Sequence, residues 1–428
     1  MAKLNTLIDN LVLENDVAYR LYADLHCLRS TIMQNKTNRT DQRALEKINC
    51  FSKLIEDVKH RKQIVYGEHI LKEFDDHKET ALLVSHCLSL SGAPVVLLNF
   101  AIVLKKMGYH VLMISPEEGP LVSHLCKHSL PLIVDHDLLH SNDIGRYADL
   151  FSEIVVNTIV CAPVIRVLEN ETKVRAIWWI HESRKAYTRL SALQMPRLLS
   201  KRTRVCCVGA YAQRILKHKA PFYRTELLNY YEPDLKNRKR ARSLSRSNKT
   251  VFATIGSIEQ RKGQDVLMDA ISVLPGHIRS ECIFIIVGKI FEKSLREKIV
   301  NTQRKYPEQL RFIEELDLEE IYDLYDEIDY LICSSRDDPM PVTVTDAFIF
   351  GKPCICSINT GSAKLIERYN AGFTYSNNNT AELAEKIADA YSISKERYIE
   401  LAQNSRRIYE ENFTEEVFEK NVKMLIGC

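Results

Sequence analysis

The chain has 428 residues, of which 45% are apolar and 27% charged, and its formal net charge is only +3. Its length exceeds what a single core organises, so two domains are expected. The composition is that of a globular protein, and the near balance of charge gives no global case for nucleic acid. Charges run through the opening MAKLNTLIDNLVLEND, which argues against a secretory leader, and no run approaches the roughly 20 apolar residues of a membrane span.

Residues 1–75 read as a helical extension. Ala18, Leu21, Tyr22 and Leu25 recur on one helical face, as do Leu54, Ile55 and Val58, and the first glycine is Gly67. The extension is expected either to pack on the body or to serve self- or partner-association. From residue 76 to 235, apolar runs (ALLVSHCL, HVLMISP, LPLIVD, EIVVNT, VRAIWWIHE, RVCCVG) alternate with amphipathic segments, the pattern of a parallel sheet covered on both faces. Residues 236–249, KNRKRARSLSRSNK, hold seven Lys or Arg and no acid. They read as a basic linker, a solvated hinge or a contact for an anionic membrane. The strand–helix pattern restarts over 250–405 with TVFATIGSI, CIFIIVGK, LRFIEEL, DYLICSS and PCICS. A C-terminal helix over 406–428 is placed to cross back to the first domain.

Twelve cysteines are scattered without a C-x-x-C pair. Cys354 and Cys356 share a face of a predicted strand, but no His or further Cys follows to complete a metal site. Buried thiols in a reducing cytoplasm are expected.

Doubly wound sheets bind ligands at the carboxyl ends of their strands, so the strand-to-helix loops carry the chemistry. In SLSGAPVVLL, Gly92 lets backbone approach a ligand at a helix start, an anion site or a plain tight turn. It is not a G-x-G-x-x-G dinucleotide signature. In GSIEQRKGQDVLM, Arg261 and Lys262 stand between a strand and a helix, where they would neutralise a diphosphate or form a solvated turn. In SSRDDPMPVTVTDAFIFGKP, a helix starts near Pro341 with Val344, Ala347 and Phe348 facing inward. With Met340 as its cap, the amides of Val342, Thr343 and Val344 lack a partner and suit an anion. Asp338 outside the helix and Asp346 one turn inside would then flank a nucleoside diphosphate sugar. The competing reading has Asp338 capping the helix.

These residues resemble the retaining GT-B glycosyltransferases of glycosyltransferase family 4, of the bacterial surface-polysaccharide type. The second half carries the resemblance through GSIEQRKGQD, FIIVG, DYLICSSRDDPMPVTVTDAFIFGKPCICS and AGFTY, and the first half more loosely through SHCLSLSGAPVVLLNFAIVLKKMGYHV and WWIHES. The resemblance implies an α/β fold of two doubly wound Rossmann-like domains facing across a cleft, an acceptor domain followed by a donor domain, behind the helical extension. It implies His181 and Asp338 as catalytic residues near the sugar. Gly92, Arg261, Lys262, Met340, Val342 and Thr343 would bind the donor's sugar and phosphates, and Asp346 its ribose. Both acids are Asp where the family has Glu. Ser257 stands where it commonly has Arg, with Arg261 as a substitute, and Asp337 is a rival to Asp338.

The resemblance further implies transfer of a sugar from a nucleotide-sugar donor to a hydroxyl of a glycan or lipid-linked glycan, with no metal and no other cofactor. No nucleic-acid partner is expected. The location would be cytoplasmic, with peripheral contact at the inner membrane face. A sugar-nucleotide epimerase and a catalytically weak nucleotide-sugar-binding scaffold are the alternatives.

Overall fold

The computed structural model of the protein describes residues 64–66, 78–189, 195–235 and 249–427. Nearly all of the helical extension, and the basic linker up to residue 248, lie outside the described residues. The chain divides into two units. Met1–Glu182, Tyr187–Cys207 and Lys217–Glu226 form the first; Ser183–Ala186, Val208–Leu216 and Leu227–Cys428 form the second.

The sheet of the first unit has the order β1-β4-β3-β2-β5-β6-β7-β8. Its strands are β1 (Ile64–Tyr66), β2 (Thr80–Val84), β3 (His110–Ser115), β4 (Leu132–Val134), β5 (Glu153–Asn157), β6 (Arg175–Ile180), β7 (Thr203–Cys207) and β8 (Thr225–Leu227). β2 through β7 pair in parallel. Their uniformly apolar runs follow from burial on both faces: Ala81 to Val84, Ile154 to Val156 and Trp178 to Ile180 are all buried. β1 corrects the helical reading of residues 1–75 at its end. Ile64-Val65-Tyr66 pairs antiparallel with β4, a run of β-branched and aromatic residues suited to an edge.

The second unit carries a six-stranded, all-parallel sheet, β11-β10-β9-β12-β13-β14. These strands are β9 (Thr250–Ile255), β10 (Cys282–Val287), β11 (Leu310–Ile313), β12 (Tyr330–Cys333), β13 (Cys354–Ser357) and β14 (Gly372–Tyr375). In chain order the arrangement is 3-2-1-4-5-6, which reverses direction between β9 and β12. Phe252 on β9 stacks between Phe284 and Tyr330 with ring centroids 5.3 Å apart on each side. The helices Gln264–Val273, Lys293–Lys305 and Thr380–Ser392 close that face. Cys354 and Cys356 are buried on β13.

The last helix, Glu415–Ile426, groups with the second unit. Phe418 packs on Tyr231 at 5.6 Å, and Phe413 on Tyr230 at 5.6 Å. The Glu232 amide donates to the Phe413 carbonyl at 3.0 Å. Among the described residues no helix is long and apolar enough to cross a membrane.

Candidate functional site

In a sheet of this topology the crevice opens where the strand order reverses, beyond the carboxyl ends of β9 and β12. The two loops leaving these strands are the ones that hold Arg261 and Lys262, and Asp338 to Pro341. They are stitched together: the Ser334 hydroxyl donates to the Lys262 carbonyl at 2.9 Å, and the Arg336 amide to the Arg261 carbonyl at 2.8 Å. Gly263 is required here. Its φ is +68°, and a Cβ would lie 2.2 Å from the Ser334 carbonyl oxygen. Arg336 forks onto Asp265 at 2.8 and 2.7 Å, which fixes the base of the β12 loop.

Asp338 is almost wholly buried, 5% exposed. Its Oδ2 accepts from Lys262 Nζ at 2.7 Å and from Arg261 Nη1 at 3.2 Å. Burial alone would raise this carboxyl; the charges and hydrogen bonds of Lys262 and Arg261 outweigh it and hold the group below the ordinary carboxylate range. Arg261 also reaches Glu259 at 3.1 Å and the Asp337 carbonyl at 3.3 Å. Among the described residues nothing donates to Oδ1 of Asp338. Its backbone is fixed on both sides, by its amide to the Asn359 carbonyl at 3.2 Å and by the Gly361 amide to its own carbonyl at 2.9 Å.

Asp338 therefore does not cap the following helix. That helix is Val342–Ile349; its cap is Pro341 rather than Met340, and no side chain caps it. Pro341 supplies a carbonyl that takes the amides of Val344 at 3.1 Å and Thr345 at 3.3 Å, so Val344 leaves the expected set of open donors. Among the described residues no acceptor meets the amides of Val342 or Thr343. Other helices lack a side-chain cap as well, including those starting at Gly92 and Lys293. What distinguishes this one is the pair of cations on the adjoining loop. Val344, Ala347 and Phe348 are buried as expected, and Met340 is buried with its sulfur 3.4 Å from the Ser362 hydroxyl.

Asp346, one turn into the helix, is half-buried, and no side chain of the described residues pairs with it. Burial pushes its carboxyl up to about 7. Glu232 is pushed to about 8 by burial and then by the Asp346 charge. Between about pH 4, the ordinary carboxylate value, and pH 7, the native chain binds more protons at Asp346 than the unfolded chain. Stability from this group therefore falls as pH rises through that window. Asp346→Asn is expected to show a smaller drop in melting temperature than wild type between about pH 5 and pH 8, measured by thermal unfolding at both values.

Asp337, the rival acid, is already engaged. Its carboxylate accepts the amides of Arg184 at 3.1 Å and Lys185 at 2.9 Å and the Tyr211 hydroxyl at 2.8 Å, all within the second unit. The sequence marked Asp337 and Asp338 alike, because these donors lie about 125 to 155 residues away in the chain.

In the first unit the strand order reverses between β2 and β5. Gly92 opens the helix Gly92–Lys106 after β2, and Asn157 at the end of β5 donates to the Ala93 carbonyl at 2.8 Å. A Cβ on Gly92 would meet nothing within 4 Å, so no protein contact demands glycine there. His181 follows β6 and packs edge-on against Trp179, with ring centroids 4.5 Å apart. Its Nε2 is buried without a hydrogen-bond partner. Burial, and then the charge of His86, pushes the imidazole down to about 3. The shift favours the uncharged ring, which suits a hydrogen-bonding group.

Behind it stands Glu182, which sequence reasoning passed over although an acid ending a buried apolar strand is a visible signal. Its carboxylate accepts the amides of Ile159 and His181, each at 3.0 Å, and burial pushes it up to about 7. It ties the loop after β5 to the loop after β6 and fixes the backbone that presents His181. Among the described residues no group of three or more His, Cys, Asp or Glu side chains is placed to hold a metal ion.

Comparison with known proteins adds the family. The model of "Glycosyl transferases group 1" matches residues 236–408, and that of "Glycosyl-transferase family 4" matches residues 78–207. The chain is 25% identical to granule-bound starch synthase 1 of Ipomoea batatas over 126 residues, 29% of this chain and 20% of that protein. It is 26% identical to the glycogen synthase of Thermodesulfovibrio yellowstonii over 160 residues, 37% of this chain and 30% of that protein. These matches thus span a fifth to a third of the length of the curated relatives. Among solved structures, Anabaena HepE in complex with UDP and glucose superposes with a TM-score of 0.66 at 17% identity, covering 81% of this chain and 99% of that one. A glycosyltransferase of Rickettsia africae superposes with a TM-score of 0.64 at 17% identity, over 82% of this chain and 98% of the other. At these identities the structural likeness shows fold alone. The two family models, one on each half of the chain, and this shared architecture establish that the chain belongs to the family 4 glycosyltransferases and has their GT-B fold of two Rossmann-like domains.

Proposed function

We propose that this glycosyltransferase moves a sugar from a nucleotide-sugar donor to a hydroxyl of a glycan or lipid-linked glycan, with retention of anomeric configuration and without a metal ion. The observation that carries the donor reading is the placement of Arg261 and Lys262 on the loop stitched to the one that leads into the two open helix amides, at the β9–β12 reversal. Positive charge and oriented N–H groups in a partly buried place suit a diphosphate. Arg261, Lys262 and the amides of Val342 and Thr343 take the phosphates, beside the backbone of Met340. Asp338 keeps Oδ1 for a sugar hydroxyl while Oδ2 is shared with the cations. Asp346, which no side chain of the described residues pairs with, accepts from the ribose. From the first unit, Gly92 and His181 are proposed as the phosphate and sugar contacts that the resemblance implies. HepE was solved with UDP and glucose, which makes UDP-glucose the first donor to test.

In the proposed reaction the bond between the anomeric carbon and the phosphate oxygen breaks, and the acceptor oxygen bonds on the same face. The acceptor's proton passes to the departing phosphate, whose charge the cations and amides hold. Purified protein is expected to release nucleoside diphosphate from a sugar nucleotide in the presence of EDTA, and the product is expected to keep the donor's anomeric configuration by NMR. Inversion, or activity lost in EDTA and restored by magnesium, would overturn the finer reading. Interconversion of sugar nucleotides with no acceptor consumed would establish the epimerase instead, and binding without turnover across a donor panel the scaffold.

A further inference from the structure

Most cysteines among the described residues are buried, as expected, but Cys87 is only half-buried. It lies on the loop between β2 and the helix Gly92–Lys106 of the first unit. Its thiol does not stand alone. Cys87 Sγ lies 3.4 Å from Nε2 of His86 and 3.3 Å from the Ser89 hydroxyl, which meets the Ser91 hydroxyl at 2.8 Å. The loop that carries this group is fixed. The Ser85 hydroxyl donates to the Cys87 carbonyl at 2.6 Å, and the Leu121 amide to the Leu88 carbonyl at 3.0 Å.

Burial alone would raise the Cys87 thiol; its bonds to His86 and Ser89 and the His86 charge outweigh it and bring the group to about 7. Burial alone would lower the His86 imidazole; its bond to Cys87 and the charges of Cys87, Glu182 and Glu117 hold it above its ordinary value. Each group thus favours the charged form of the other. The remaining titratable neighbours are Cys161, on the turn Ile159–Cys161 after β5, and His181; burial raises the first and lowers the second. Cys161 is wholly buried and offers no competing nucleophile. Two ring nitrogens at this place, Nδ1 of His86 and Nε2 of His181, are buried without a hydrogen-bond partner among the described residues. They leave polar contacts open to an incoming molecule.

We propose that Cys87 is a modification site for low-molecular-weight disulfides, its sulfur activated by His86 and Ser89 at the carboxyl end of β2. The Cys87 thiolate attacks one sulfur of the disulfide. The old S–S bond breaks as the new one forms, and the departing thiolate takes a proton from solvent. The protein thiol is oxidised to a mixed disulfide, and half of the small disulfide is reduced to a free thiol. The adduct stands on the loop that runs into Gly92. The inference does not rest on the proposed reaction, since the adduct is read without turnover.

The test exposes the reduced full chain to glutathione disulfide and reads each cysteine by peptide mass spectrometry. The peptide with Cys87 is expected to gain a glutathionyl group that dithiothreitol releases. Its rate should rise through about pH 7 and level off by about pH 8. The exposed Cys126 serves as the reference thiol in each sample. His86→Gln should slow the reaction at about pH 7 by about threefold or more and move the rise towards the ordinary thiol value of about 8.5. Ser89→Ala should slow it by less. The inference is overturned if Cys87 stays unmodified while Cys126 reacts, or if the wild-type rate rises only near about pH 8.5. It is also overturned if His86→Gln, with its melting temperature unchanged, reacts as wild type does.

Discussion

Lys262→Ala is expected to lower kcat/KM for sugar-nucleotide turnover by about 100-fold or more, the loss typical when a preorganised charge is removed from a developing anion. Lys262 sits at the strand-order reversal, 19% exposed in its side chain, with its ammonium 2.7 Å from Asp338. The same substitution takes away one of two cations facing a buried carboxylate. Breaking such a pair outright costs about 3–5 kcal/mol, but Arg261 remains at 3.2 Å, so the cost to the fold should be smaller. Lys262→Ala in an Asp338→Asn background, read against Asp338→Asn alone, separates the two effects. With no carboxylate left to strand, the melting temperature should hold, while turnover should fall further because no ammonium faces the phosphate. Equal turnover in the two variants would show that Lys262 serves the fold alone.

Gly361→Ala should be nearly as damaging through shape alone. A Cβ at residue 361 would lie 1.7 Å from the Pro339 carbonyl oxygen and 2.7 Å from its carbon. Backbone cannot yield as a flexible side chain does, so the 338–341 loop must move. That loop is held from the other side by the Gly361 amide on the Asp338 carbonyl and by the bridge between Asp338 and Thr360. Overpacking of this kind costs about 1–3 kcal/mol or more, and misplacing catalytic groups by about 1 Å can cost a further 100-fold in rate. Thermal unfolding and donor titration should therefore both shift. Gly92→Ala is the matched control: its Cβ meets no protein atom within 4 Å, so the melting temperature should hold, and any loss of donor affinity would report a contact with ligand.

Much of this architecture was legible in the chain because continuous apolar runs announce parallel strands buried on both faces. ALLVSHCL, EIVVNT, CIFIIVGK and DYLICSS became β2, β5, β10 and β12. The alternation of strand and helix led to the loops at the ends of β9 and β12, where the strand order reverses, and the spacing of Val344, Ala347 and Phe348 placed the inward face of the Val342 helix. Local pattern did not settle which atoms meet across long stretches of chain. The Asp338–Lys262 pair joins residues 76 apart, and the engagement of Asp337 spans twice that distance. The downward shift of His181 and the role of the Glu182 carboxylate behind it depend on burial that only packing creates. Pro341 displaced Met340 as the helix cap because its carbonyl, not a side chain, gathers the first amides. β1 escaped notice because three residues at a sheet edge carry too little periodicity to stand out in a helical stretch.

The central claim is that the cations of the β9 loop and the open amides of the Val342 helix together hold the donor's diphosphate. A crystal structure of the protein with a bound nucleoside diphosphate tests it most directly. Phosphate oxygens are expected within about 2.7–3.2 Å of Lys262 Nζ and of the Val342 and Thr343 amides. A diphosphate bound elsewhere, with Lys262 still paired to Asp338 and both amides facing water, would contradict it.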